Sequence, residues 1–173
     1  YRGWPSRLEA GRRHGFAWAR ASHNGYRRLG APQVGRWLAC RPGGPWLCVD
    51  WARGNGSHRL TSWLHFHPEV NVWKLDDNTL QWELAERRFQ LHWLVPGDLR
   101  IEEGWYCPSL GKKHKAPVAR WEAVLPLPAS CGWCLTWNGG TAGASLTTSA
   151  SGESVLRWTE NDRSVELRNE WFQ

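Results

Sequence analysis

The chain has 173 residues, a formal net charge of +6 and a pI near 9.4. At about 150 residues per domain, that length suggests one domain with a core of its own. The charge favours polyanions, but the basic residues are scattered in pairs such as Arg12-Arg13, Arg27-Arg28 and Arg87-Arg88, so no basic tail or helix argues for nucleic acid.

Residues 1–21 are rich in Arg, and Gly3, Pro5, Gly11 and Gly15 argue against a long helix there. The lead-in over 1–33 reads as irregular, with a short helical turn at 6–13. Trp4, Phe16 and Trp18 pin it to a neighbour. From residue 34 the grammar changes to strands. Val34 to Cys40 and Trp46 to Trp51 flank a Gly-Gly turn and read as a hairpin. Along Arg59 to Phe66 the side chains alternate, which puts Leu60, Leu64 and Phe66 on one face and Trp63, His65 and His67 on the other.

A second hairpin runs from Val70 to Leu75 and Thr79 to Leu84 about Asp76-Asp77-Asn78. Arg88 to Leu94 alternates as a half-exposed strand. Leu99 to Glu103 follows the turn at Pro96-Gly97, and residues 109–117, with Lys112, Lys113 and Lys115, read as a loop. Ala119 to Leu127 is a strand that Pro126 and Pro128 end or confine to an edge. Cys131 to Trp137 is a strand, 138–152 a Gly, Ser, Thr and Ala loop, and Ser154 to Thr159 with Arg163 to Arg168 a last hairpin. Many short strands between turn signals predict an all-β fold, a two-layer antiparallel β-sandwich with an irregular N-terminal segment spanning 1–173; a closed barrel is the rival.

Fifteen Trp are extreme for this length. Most belong in the core, where an indole buries a large apolar area, and some can serve as platforms for sugar rings. Five Cys is an odd number, against a full disulfide framework. Cys40 and Cys48 flank a hairpin and can be a pair or two core thiols. Cys131 and Cys134 have the spacing of a metal or redox motif, but no second such pair and no βαβ unit accompany them, so they read as strand residues. No apolar run approaches the ~20 residues of a membrane helix. The absence of Met and the start at Tyr1 read as a segment of a longer protein.

Several residues fall into a familiar order: Arg7, Ser22-His23-Asn24, Asp50, Gly56-Ser57-His58, Leu64-His65-Phe66-His67-Pro68, and Glu103 to Gly111 with its aromatic pair before a Pro and a Gly. The order resembles the C-terminal β-sandwich of heparinase II/III-like polysaccharide lyases over most of residues 1–135. The resemblance implies an N-terminal α/α toroid that holds a catalytic Tyr and His, and a sandwich that closes the cleft and carries a metal, zinc or another divalent ion. It implies that His23 is one metal ligand and that the family's catalytic residues lie upstream of Tyr1. It further implies a periplasmic or secreted protein.

β-Elimination at a uronate needs a base for the C5 proton, a cation for the neighbouring carboxylate and an acid for the leaving oxygen. Arg7, Arg12 and Arg27 are the candidate substrate-binding cations near the His-Asn motif, and His23 the candidate metal ligand. His65 and His67, two apart on a strand, have a geometry that suits a metal, with Asp50 or His58 to complete the set; exposed or hydrogen-bonded strand histidines are the alternative. Asp50 can equally cap a turn with Asn55. The functional expectation is the C-terminal part of a lyase that cleaves acidic, uronate-containing polysaccharide, the 173 residues alone being inactive. The alternative is a non-catalytic carbohydrate-binding sandwich.

Overall fold

The structure, a computed structural model, describes residues 3–6, 8–137, 142–160 and 163–168. Its strands, in chain order, are β1 (Glu9–Arg13), β2 (Phe16–His23), β3 (Gln33–Cys40), β4 (Trp46–Arg53), β5 (Ser57–His65), β6 (Val72–Lys74), β7 (Thr79–Leu84), β8 (Arg87–Trp93), β9 (Asp98–Ser109), β10 (Lys112–Pro126), β11 (Ala129–Trp137), β12 (Ala142–Thr148), β13 (Ser154–Glu160) and β14 (Arg163–Arg168). A 3-10 turn, Arg27–Leu29, lies between β2 and β3. Among the described residues every strand pairing is antiparallel. The long sheet has the order β1-β2-β3-β4-β11-β8-β7-β6, and two three-stranded sheets have the orders β5-β10-β9 and β12-β13-β14.

The alternation of side chains along β11 shows how the sheets stack. Cys134 joins Trp37, Leu47 and Val49 in a core shared with Leu146, Leu156 and Trp158 of the β12-β13-β14 sheet. Cys131, with Trp133 and Leu135 packed alongside, joins Leu80, Leu91 and Trp93 in a core shared with Ala119 and Trp121 of the β5-β10-β9 sheet. Successive side chains point to opposite faces, so the two small sheets cover opposite faces of the long one. Each half of the long sheet thus forms a two-layer sandwich. Trp37, Trp93, Trp121 and Trp158 are fully buried, and each large side chain so buried is worth about 1.5–3 kcal/mol. On the other face of β3 and β4, Val34 and Ala52 pack against Leu60 and Leu125 of the β5-β10-β9 sheet, while Leu38 and Trp46 at the far end stand open.

The all-β sandwich expected from the sequence forms, but three stretches differ in detail. The lead-in is not irregular throughout, and among the described residues Glu9–Arg13, where a helical turn is expected, is a strand. Residues 9–23 make a hairpin, with His14 (φ 47°) and Gly15 (φ 80°) both in the left-handed region that a two-residue turn of this hand requires. The expected loop at 109–117 is instead the end of a long β9–β10 hairpin, which pairs out to Ser109 and Lys112 around Leu110-Gly111. The expected loop at 138–152 contains β12, whose Ala144 and Leu146 are buried; residues 138–141 lie outside the described set. Asn161 and Asp162 of the last expected turn also lie outside it.

Candidate functional site

The site grows from the end of β2. Ser22 is buried and held by Ser6: its backbone N–H donates to Ser6 Oγ at 3.0 Å, and the two hydroxyls lie 2.7 Å apart. Gln33 Nε2 donates to Ser22 Oγ at 3.3 Å. The segment Gly3–Ser6 therefore runs beside β2, with Pro5 bridged to His23 and the Trp4 N–H donating to Asn24 Oδ1 at 2.8 Å. Two glycines make this close approach possible. A Cβ on Gly3 would stand 2.8 Å from the Gly25 Cα, and one on Gly25 would stand 3.0 Å from His23 Nδ1.

His23 is exposed. Its Nδ1 accepts the Gly25 N–H at 3.1 Å, so the neutral ring carries its proton on Nε2. The Tyr26 ring lies 5.5 Å from the imidazole, tilted by 50°. Arg27 and Arg28 follow on the exposed 3-10 turn, which Gly30 ends with φ 84°. A Cβ on Gly30 would stand 3.2 Å from the His58 ring, whose Nε2–H donates to the Asn55 carbonyl at 2.9 Å. At the base of the turn, Ala31 packs in a small core with Ala52, Leu127 and Ala129. A shallow depression of about 410 Å³ opens beside Ala52, Arg53, Gly54, Pro128 and Gly152.

The sequence candidates separate in space. Arg27 begins the 3-10 turn four residues after His23, which ends β2. Arg12 does not join them: its partner on β2 is Ala17, and the stretch from Ala17 to His23 spans about 20 Å. Arg7 lies outside the described residues. His65 ends β5, but His67 lies past the strand, where its ring meets Tyr106 at 4.9 Å and its Nδ1 accepts the Glu69 N–H at 3.4 Å. Asp50 sits inside β4, bonded to Arg36, and caps no turn with Asn55. Among the described residues no three His, Cys, Asp or Glu side chains stand together as a metal site. His23 offers at most one ligand, and the tautomer that accepts the Gly25 N–H presents a proton rather than a lone pair, so the described residues do not by themselves make a metal centre.

No disulfide joins any of the five cysteines. Burial pushes the Cys131 thiol up to about 12 and the Cys48 thiol well above its usual range. These are core thiols, as the strand reading of Cys131 and Cys134 holds. Tyr26, to which the sequence alone gives no role, stands three residues after His23 in a Gly turn that brings its ring to the imidazole.

The family description "Heparinase II/III-like, C-terminal" matches residues 2–168. The chain belongs to this family. Solved structures distant in sequence share this fold. A heparan sulfate lyase HepC from Pedobacter heparinus is 14% identical over 98% of this chain, with a TM-score of 0.73. A heparinase III described as the BT4657 gene product is 10% identical over 93%, with a TM-score of 0.72, and a further heparinase III is 14% identical over 96%, with a TM-score of 0.68. The chain spans 28% of the first of these proteins and 27% of each of the other two. No curated protein matches. Among the described residues no helix is long and apolar enough to cross a membrane.

Proposed function

We propose that this heparinase II/III-like domain is the C-terminal part of a polysaccharide lyase acting on an acidic, uronate-containing polymer by β-elimination. The observation that carries the proposal is the exposed His23 at the end of β2, its Nδ1 taken by the Gly25 N–H, followed directly by the turn that carries Tyr26, Arg27 and Arg28. In this reading the guanidinium of Arg27 meets the uronate carboxylate and draws charge away from the developing enolate. His23 Nε2–H donates to the leaving glycosidic oxygen. The base that takes the C5 proton comes from an N-terminal α/α toroid of the same protein, and the 173 residues alone are inactive.

A metal on His23 belongs to this proposal in one form only. Nε2 would be a single ligand after the ring proton moves to Nδ1 and the Gly25 amide is released, with zinc or another divalent ion held otherwise by residues outside the chain. In this reading the protein works in the periplasm or outside the cell, where acidic polysaccharides are encountered; cell fractionation tests that. The half-exposed indoles of Trp46, Trp63 and Trp105 favour a second reading, a carbohydrate-binding sandwich without chemistry of its own.

The deciding experiment incubates the complete protein with heparan sulfate, alginate and bacterial exopolysaccharides and follows the ultraviolet absorbance of unsaturated uronate ends. Absorbance that grows with time supports the lyase. Tight binding with no absorbance selects the binding module, and neither outcome with any polymer defeats both.

A further inference from the structure

The β9–β10 hairpin extends past the sandwich as an arm. Ala116 is the last residue of β10 at this end to be buried, and Lys112 to Lys115 are all exposed, as are Cys107 to Gly111 on the other limb and at the tip. Leu110 at the turn is fully exposed. The arm carries Lys112, Lys113 and Lys115 against one carboxylate, Glu103, which Lys115 meets at 2.9 Å. Trp105 stands directly across from Lys115, half exposed, with the Lys113 ammonium 3.4 Å from its ring centroid. A Trp held half open to solvent on a projecting strand, beside cations on its own face, buries nothing in the core.

We propose that this arm is an auxiliary binding surface for an acidic polysaccharide chain, with Trp105 as the stacking platform and Lys112, Lys113 and Lys115 as partners for its carboxylate or sulfate groups. The proposal rests on the lyase reading above and adds a contact far from the His23 turn. His58, which packs against that turn at Gly30, pairs with Leu125 of β10, and the run from Leu125 back to Lys113 spans on the order of 40 Å. The apolar face of a sugar ring covers an indole well, because an indole is a broad apolar surface with a polar edge. A cation over an exposed ring is held weakly, so an arriving sugar displaces the Lys113 ammonium from Trp105. The freed ammonium then meets the anionic group that the same sugar brings. A nucleic acid fits less well. Proteins that hold single strands without sequence preference line several aromatic platforms along a continuous basic groove, whereas this arm has one indole with Glu103 beside it.

The test uses the complete protein and three variants: Trp105→Ala, Trp105→Phe, and the combined Lys112→Ala, Lys113→Ala, Lys115→Ala. Long heparan sulfate and alginate chains, their tetrasaccharides and an oligo-dT strand are the probes. Binding is read by calorimetry, turnover by the unsaturated product, and folding by thermal melting, which exposed positions should leave unchanged. Trp105→Ala and the lysine variant are expected to raise Kd and KM for long chains about tenfold, the scale of one stacking contact. Their kcat, and their turnover of tetrasaccharides, should stay at the parent value, while Trp105→Phe restores most of the binding. Parent-like affinity for long chains in both variants overturns the arm and leaves the lyase reading intact. So does an equal loss on tetrasaccharides, or a loss confined to oligo-dT. A parent protein that neither binds nor cleaves any polysaccharide removes the lyase reading itself, and the arm with it.

Discussion

Arg36 and Asp50 face each other across β3 and β4 and share two hydrogen bonds, from Nε to Oδ1 at 2.6 Å and from Nη2 to Oδ2 at 2.8 Å. The bond to Asp50 is the largest cause of the raised pKa of the guanidinium. This pairing commits Asp50 to its own sheet. Both partners keep solvent contact, so the pair is worth far less than a dry one. Its planar two-point geometry and cross-strand placement keep it above zero. Arg36→Ala is expected to cost about 1 kcal/mol in urea unfolding. A cycle with Asp50→Asn should return about 0.5–1 kcal/mol of coupling.

The thiols beside that pair make stability depend on alkaline pH. Cys131 is pushed up to about 12 by burial and by the Asp50 charge, from an ordinary thiol value of 9.0. A folded pKa above the unfolded one leaves stability intact below about pH 9 and lowers it as pH rises towards 12. The slope is roughly 1.4 kcal/mol per pH unit for one thiol. Cys131→Ala should flatten part of the fall seen in urea unfolding between pH 9 and 11. In the folded protein at pH 8 a thiol reagent should label the exposed Cys107 quickly and leave Cys48, Cys131 and Cys134 untouched until unfolding.

The turn between β7 and β8 holds two residues in the left-handed region, Ala85 at φ 48° and Glu86 at φ 61°. Neither is Gly or Asn, and each L side chain there costs roughly 1 kcal/mol. The turn is of the kind that favours Asn-Gly. The double change Ala85→Asn, Glu86→Gly is expected to stabilise the domain by about 1–2 kcal/mol. That is a rise of about 3 °C or more in the thermal midpoint.

The same turn chemistry explains what could be read from the sequence. Pro42-Gly43-Gly44 and Asp76-Asp77-Asn78 announced their hairpins because those residue types favour reversal and apolar runs flank them. His14-Gly15 did not, because β1 has no apolar alternation: it is an edge strand of Glu, Ala, Gly and Arg with no buried residue. The same holds for β12, whose Gly, Ser and Thr are the composition of a loop, and for the arm, where lysines and Gly111 mask a ladder of backbone bonds. In the site, His23 and Arg27 were legible as one motif. Arg12 seemed close in sequence, but a hairpin reverses direction and carries it to the far end of β2.

His23 has two uses that differ in where its proton sits. The bond from the Gly25 N–H to Nδ1 favours the outward Nε2–H, a proton donor. In the complete protein, His23→Ala is expected to lower kcat by about a hundredfold or more, the usual scale for a lost acid or base. The fold should survive, since the ring is exposed. The bound-metal content, measured by elemental analysis, should not change. A variant that loses its metal along with its activity would assign the ring to ligation instead.

The two arginine positions test the turn against the general charge of the surface. Net charge alone would make Arg12 and Arg27 equal, because each contributes one positive charge to a basic domain. The geometry makes them unequal: Arg27 begins the turn four residues after His23, and Arg12 stands about 20 Å away along β2. Arg27→Ala is expected to lower kcat/KM on uronate polymer about tenfold or more, through the lost partner of the carboxylate. Arg12→Ala should leave it within about twofold, as an exposed charge beyond the screening length acts weakly at physiological salt. Raising the salt should weaken both proteins alike if the contact is diffuse, and should preserve the gap between them if Arg27 touches the reacting sugar. Steady-state rates at two ionic strengths measure that gap directly.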